Sequence, residues 1–219
     1  MPRILLEKEL KILEQSVMEM SGHVENTFVK LKRAIEQKDK RLMTHIIESD
    51  HIINDMQRAI ESRCLIVITK QTPIAGDLRV VSACLKVVTD IERMGDHAGD
   101  IAELIVRMDF EELSNYSIHF PNMMDKVIAM IHDATTAFVT RDVGFAKMVI
   151  ASDDIVDEYF NQIKEDLIEK IKENKVNPDG IIDALMISKY LERVGDHAVN
   201  ICEWETFQET GVIEQYRLL

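Results

Sequence analysis

The sequence is poor in the residues that turn a chain back on itself. Only 8 of 219 residues are Gly and 4 are Pro, about half of their usual combined share of roughly 12%. That is too few for the many reversals of a β-sandwich or barrel. Aromatic residues make up 5%. Three cysteines, Cys64, Cys84 and Cys202, lie far apart, form no CxxC pair and are odd in number. They read as reduced core residues of a cytoplasmic protein, not as a redox or zinc framework. Long apolar runs are missing: stretches such as Leu65 to Ile68 fall far short of the roughly 20 residues that span a bilayer. Arg3, Glu7 and Lys8 interrupt the N-terminus before a signal-peptide core can form. Membrane contact is therefore expected only through partners. Basic residues are also scarce, 26 Lys and Arg against 39 Asp and Glu, for a net charge of −13. This excludes a protein that grips nucleic acid, whose affinity comes mostly from cationic side chains on phosphates. It suits an acidic protein or one that gathers cations.

What the chain has in abundance is apolar residues at three- and four-residue spacing, broken only by short turns. The pattern predicts an all-α fold of six long antiparallel helices. The first runs from about Ile4 to Glu36; Asp39 caps a second that reaches about Thr69. A third starts at Gln71-Thr72-Pro73, with Pro73 in its first turn, and ends near Met108. Residues 109–121, with Ser114, Asn115, Ser117 and Pro121, read as a linker. A fourth helix follows to about Thr140, a fifth spans Asp142 to Asn174, and a sixth runs from Pro178 to near Phe207.

The two sides of the linker repeat one another. Ala34, Asp39, Ile47, Ser49, Asp50 and Ile52 recur 103 residues later as Ala137, Asp142, Ile150, Ser152, Asp153 and Ile155. The segment Glu92-Arg93-Met94-Gly95-Asp96-His97-Ala98 recurs 100 residues later as Glu192-Arg193-Val194-Gly195-Asp196-His197-Ala198. A change of three residues in offset falls between helices, where length changes cost little. The expectation is two tandem pseudo-symmetric three-helix bundles, residues 1–112 and 118–219.

In the third helix an apolar seam through Cys84, Val88, Ile91, Gly95 and Ala98 runs beside Glu92, Asp96 and Asp100. Four-residue steps advance only about 40° round a helix, so these carboxylates form one stripe. They repel by roughly 0.2–0.5 kcal/mol per pair. The sixth helix carries the matching stripe Glu192, Asp196 and Asn200, and the second and fifth add Asp50 with Asn54 and Asp153 with Asp157. Such a stripe is either a solvated face paired with a cation such as Arg93 or Arg193, or one wall of a site where two helices enclose an ion. Its duplication favours the ion site, with ions near the surface. His97 and His197 turn about 100° from the neighbouring Asp96 and Asp196, which suits a structural hydrogen bond better than ligation. A di-iron enzyme would need two Glu-x-x-His pairs facing a four-helix core. The chain offers one, Glu48 with His51, replaced in the repeat by Ala151 and Asp154. No phosphate loop, nucleophile elbow or zinc-protease motif is present.

The doubled Glu-Arg-x-Gly-Asp segment, the run Gln71-Thr72-Pro73-Ile74-Ala75-Gly76-Asp77-Leu78-Arg79 and the Asp50 and Asp153 segments together resemble the PhoU family, accessory proteins of bacterial phosphate uptake. The resemblance extends from the first helix to about Cys202. It implies a cytoplasmic regulator and not an enzyme, commonly a homodimer. It implies docking to the ATPase subunit of the phosphate ABC transporter and to a sensor histidine kinase, restraining uptake and starvation signalling. Some members hold iron or zinc clusters at E(D)xxxD motifs. Here those ligands would be Asp50, Glu92, Asp96 and Asp100 in one half, and Asp153, Asp157, Glu192, Asp196 and Asn200 in the other. The competing expectations are a metal-storage or di-iron bundle and a metal-independent helical adaptor.

Overall fold

The computed structural model describes residues 2–108, 110–173 and 176–212. Among them are seven helices and no strand: α1 (Pro2–Gln37), α2 (Lys40–Gln71), α3 (Gly76–Arg107), α4 (Phe110–Tyr116), α5 (Phe120–Thr140), α6 (Val143–Lys172) and α7 (Pro178–Thr210). The apolar periodicity accounts for the long ones. Along α1, Leu6, Leu10, Leu13, Val17, Met20, Val24, Phe28 and Leu31 are all buried, a continuous stripe at three- and four-residue steps.

The first turn of each half is built alike. Lys38 and Arg141 take left-handed backbone (φ 54° and 57°), and the following aspartate caps the next helix. Asp39 accepts from the backbone N–H of Arg41 and Leu42, and Asp142 from that of Phe145. Two expectations change. Pro73 does not sit in the first turn of the third helix: Thr72 ends α2 in left-handed backbone, Ala75 (φ 43°) bends the chain again, and α3 begins only at Gly76. Residues 109–121 are not a bare linker either, because Phe110, Leu113 and Tyr116 fall on one face and are buried, so the short helix α4 forms and packs on the core.

α2 packs on α1 and α3, and α6 on α5 and α7; the two triplets meet through α1 against α5 and α3 against α7. Helices α3 and α7 are antiparallel and tied at both ends. Arg79 Nε donates to the carbonyl of Gln208 at 3.1 Å, and the Arg107 guanidinium grips the Asp183 carboxylate. In the α1–α5 contact, the hydroxyls of Ser21 and Thr135 lie 2.5 Å apart.

The repeat breaks inside the core where Asp183, Ser188, Glu205 and Gln208 stand in place of the buried Ala83, Val88, Ile105 and Met108. Glu205 occupies the position of Ile105 and is buried, and among the described residues neither carboxyl oxygen has a well-formed hydrogen bond. Burial, then the charge of Glu209, pushes its carboxyl up to about 7. Stability from this group is therefore greatest below the ordinary glutamate range and falls as pH rises toward 7. Glu205→Leu should raise the unfolding midpoint at pH 8 by the equivalent of about 2 kcal/mol and much less at pH 4, as measured by thermal denaturation at the two pH values.

Candidate metal centre

Close approach of helices brings the first set of carboxylates together. A methyl group added at Gly95 would lie 2.8 Å from Ile53 Cδ1, so α2 lies hard against α3 at that point. One turn back on α2, Asp50 therefore comes within electrostatic reach of Asp96 and Asp100. Desolvation raises the Asp50 carboxyl first, the charges of Asp96 and Asp100 raise it further, and a 2.9 Å hydrogen bond from Asn54 Nδ2 opposes them. Glu92 is raised by burial and by Asp96, with Arg93 opposing. Asp100 is raised by burial and by Asp96. The four residues from α2 and α3 thus form one mutually repelling group. Arg93 reaches Asp96 at 3.1 Å and Glu92 at 3.6 Å, but its guanidinium is exposed and such pairs are worth little.

The second set uses the same frame differently. At Gly195 an added methyl would lie 2.7 Å from Asp153 Oδ1, and Asp153 is buried. Asp157 is half-buried on α6, and Asp196 is exposed on α7. Lys189 Nζ lies 2.5 Å from both carboxylate oxygens of Glu192. Asn200 turns to the other half of the molecule, where its amide donates to Asp90 Oδ1 at 3.0 Å beside His197 Nδ1 at 2.8 Å.

That crossing of α3 and α7 also holds His97, whose ring stacks on Tyr190 at 5.2 Å and lies 5.7 Å from His197. Burial, then His197, lowers His97 to about 4, so it is neutral at pH 7. Asp90 and Tyr190 escaped the sequence reading; they occupy equivalent places in the repeat, which is the signal that could have found them. The Glu48–His51 pair does not face a core: both residues are exposed, and His51 Nδ1 lies 2.8 Å from its own helix's Glu48 carbonyl.

Among the described residues, no group of three or more His, Cys, Asp or Glu side chains is drawn together as a ready-made coordination shell. A cation between α2 and α3 would need its carboxylates to rotate inward. The donor chemistry of the first set suits one: all-oxygen, partly exposed, and short of compensating positive charge. The second set fits less well, since Glu192 already holds an ammonium and the Asn200 amide is engaged elsewhere.

The fold and these faces define a duplicated helical bundle with paired acidic stripes, and no helix among the described residues is long and apolar enough to cross a membrane. The PhoU domain family model matches twice, over residues 17–105 and 120–204. The chain is 36% identical over 212 residues to the phosphate-specific transport system accessory protein PhoU homolog of Clostridium acetobutylicum, covering 96% of this chain and 97% of that one. It is 31% identical over 206 residues to PhoU homolog 1 of Thermotoga maritima, covering 94% and 89%. The crystal structure of the phosphate transport system regulatory protein PhoU from Streptococcus pneumoniae superposes with a TM-score of 0.89 at 30% identity, covering 96% of this chain and all of that one. PhoU from Pseudomonas aeruginosa gives 0.87 at 27% identity, covering 94% and 99%. The chain belongs to the PhoU family.

The raised carboxyls make a directional prediction. A carboxyl held above its ordinary range costs the folded state stability as pH rises through that range. Asp50→Asn should stabilise the metal-free protein at pH 7 by about 0.5 kcal/mol, and the gain should vanish near pH 3.5, where aspartates protonate in any case. Urea denaturation in the presence of chelator measures both.

Proposed function

We propose that this chain is a regulatory accessory protein of phosphate uptake, without catalysis of its own. It restrains transport and phosphate-starvation signalling when phosphate is plentiful. It works from the cytoplasm, as a homodimer, by docking to the ATPase subunit of the phosphate ABC transporter and to a sensor histidine kinase. Support comes from full-length likeness to proteins named for that accessory or regulatory role. The absence from the sequence of any recognisable catalytic motif agrees with it.

The metal part of the reading rests on one observation: Asp50 on α2 and Glu92, Asp96 and Asp100 on α3 load one small region with negative charge. Iron or zinc bound there would supply the missing positive charge. Asp50, the single member from α2, would then tie that helix to α3. Because α2, among the described residues, packs chiefly on α1 and α3, its position relative to α3 sets the shape of its outer face. A partner that reads this face would sense whether the carboxylates are neutralised.

The test is capture of the purified chain on membranes carrying the phosphate transporter, with and without prior chelation, alongside elemental analysis. Asp50→Asn combined with Asp96→Asn should lower bound metal at least tenfold and weaken capture. Unchanged capture after exhaustive chelation would favour a metal-independent adaptor. Unchanged metal content in the double variant would remove the metal site from this region.

A further inference from the structure

The two acidic stripes are near-duplicates in sequence, yet the chain's own cations are held against them differently. On α7, Lys189 Nζ sits 2.5 Å from both oxygens of Glu192. The same ammonium lies 5.5 Å from the centre of the Phe160 ring on α6, within range of a cation–π contact. Lys164 approaches that ring at 5.8 Å, with its own Nζ 2.8 Å from Asn161 Oδ1. Lys189 is therefore fixed at two points on two helices, and it bridges α6 to α7 beside the stripe. Neither anchor exists in the first half. The repeat places Thr89 where Lys189 stands and Gln57 where Phe160 stands. Thr89 is exposed, and its hydroxyl donates to the Leu85 carbonyl of its own helix.

We infer that Lys189 is a tethered counter-ion, so that the second stripe is permanently neutralised at Glu192 and a divalent cation loads on the first half alone. An ammonium held on the same chain acts at an effective concentration of order millimolar or higher. A divalent ion at micromolar concentration must displace it from Glu192, and must do so without the Asn200 amide, which is engaged with Asp90. The first half's own cation, Arg93, is the weaker competitor: it reaches Asp96 at 3.1 Å and Glu92 at 3.6 Å, but its guanidinium is more exposed than the Lys189 ammonium, and exposed pairs of this kind are worth little. The loading clause rests on the metal reading above; the counter-ion assignment does not, because it concerns contacts within the metal-free chain.

Four full-length proteins, the parent, Lys189→Thr, Thr89→Lys and Asp50→Asn combined with Asp96→Asn, separate the two. Each is stripped with chelator, checked for helicity by circular dichroism, titrated with Zn²⁺ by calorimetry, and melted in EDTA. Zn²⁺ uptake by the parent should disappear in the Asp50/Asp96 variant and weaken at least tenfold in Thr89→Lys. Lys189→Thr should roughly double the number of ions bound per chain. In EDTA, Lys189→Thr should lower the unfolding midpoint by a few degrees and Thr89→Lys should raise it. Parent binding that survives the Asp50/Asp96 changes overturns loading on the first half, and an unchanged ion count in Lys189→Thr overturns Lys189 as what keeps the second half unloaded. Unaltered midpoints in EDTA overturn the counter-ion. If no variant binds Zn²⁺ while the midpoints shift as stated, the metal reading fails and Lys189 stands as the counter-ion of the second stripe.

Discussion

There is no room for a side chain on the face of α3 opposite Ile53, nor on the face of α7 opposite Asp153 and Val156, and this tight approach sets the spacing of everything beside it. Glycine within a helix costs about 1 kcal/mol in propensity. Here it lets the outer helix of each triplet close on the central one. The distance between carboxylates on separate helices follows from that closure. Were α2 carried outward by a larger residue at position 95, Asp50 would move away from Asp96 and their mutual repulsion would weaken with distance and salt. The apolar seam that runs through Gly95, with Cys84, Val88, Ile91 and Ala98 all buried, holds the charges at short range against their own repulsion. The acidic stripe is thus a small penalty carried by a large core.

Duplication gave the chain two copies of this frame, and the copies diverged where a single residue decides the local chemistry. The capped turns at Asp39 and Asp142 stayed alike because the backbone geometry leaves few alternatives. The frame glycines stayed alike for steric reasons. Side chains around them did not. Where one half buries Ile105, the other buries Glu205. Where one presents Thr89, the other presents Lys189. At the crossing of α3 and α7, Asp90 accepts from His197 while its counterpart Tyr190 stacks on His97. The interface between the halves is therefore approximately symmetric in backbone and chemically one-sided, which gives the two faces of the molecule different ionic properties.

Much of this was legible in the sequence, because helix periodicity and the repeat are properties of spacing, and spacing survives without coordinates. The seam through Val88, the capping aspartates and the stripes themselves follow from it. Three features did not. The helix α4 was hidden because Ser114, Asn115 and Ser117 signal a loop, while the Phe110, Leu113 and Tyr116 face becomes visible only once a core exists to receive it. Pro73 was misplaced because a proline fits both a first turn and the preceding loop, and the positive φ at Thr72 and Ala75 has no strong sequence signature. Asn200 read as part of its own helix's stripe, since a periodicity argument sees one helix at a time. Its partner, Asp90, lies 110 residues away on another helix. Contacts of that kind depend on how whole triplets dock, which no local pattern encodes.

The magnitudes constrain how such a stripe can regulate anything. Relief of repulsion among exposed and half-buried carboxylates is worth tenths of a kcal/mol per pair, whereas coupling between two binding sites typically needs 1–3 kcal/mol. Neutralisation alone falls short by several-fold. The remainder has to come from coordination that differs between two positions of α2, and the arrangement of ligands suits that requirement. Asp50 is the one acidic member on the outer helix, and Glu92, Asp96 and Asp100 are fixed on the central one. An ion held by α3 alone would be indifferent to where α2 lies, and a ligand with no preference between two states shifts nothing. Coordination coupling would pass through Asp50, so the asymmetry that matters is between one carboxylate on the outer helix and three on the central one. In the second triplet the corresponding Asp153 is drawn inward against Gly195 and Lys189 already bridges α6 to α7. The outer helix there is tied by the chain's own side chains, so under the proposed metal reading the first triplet is the half whose edge an ion would set.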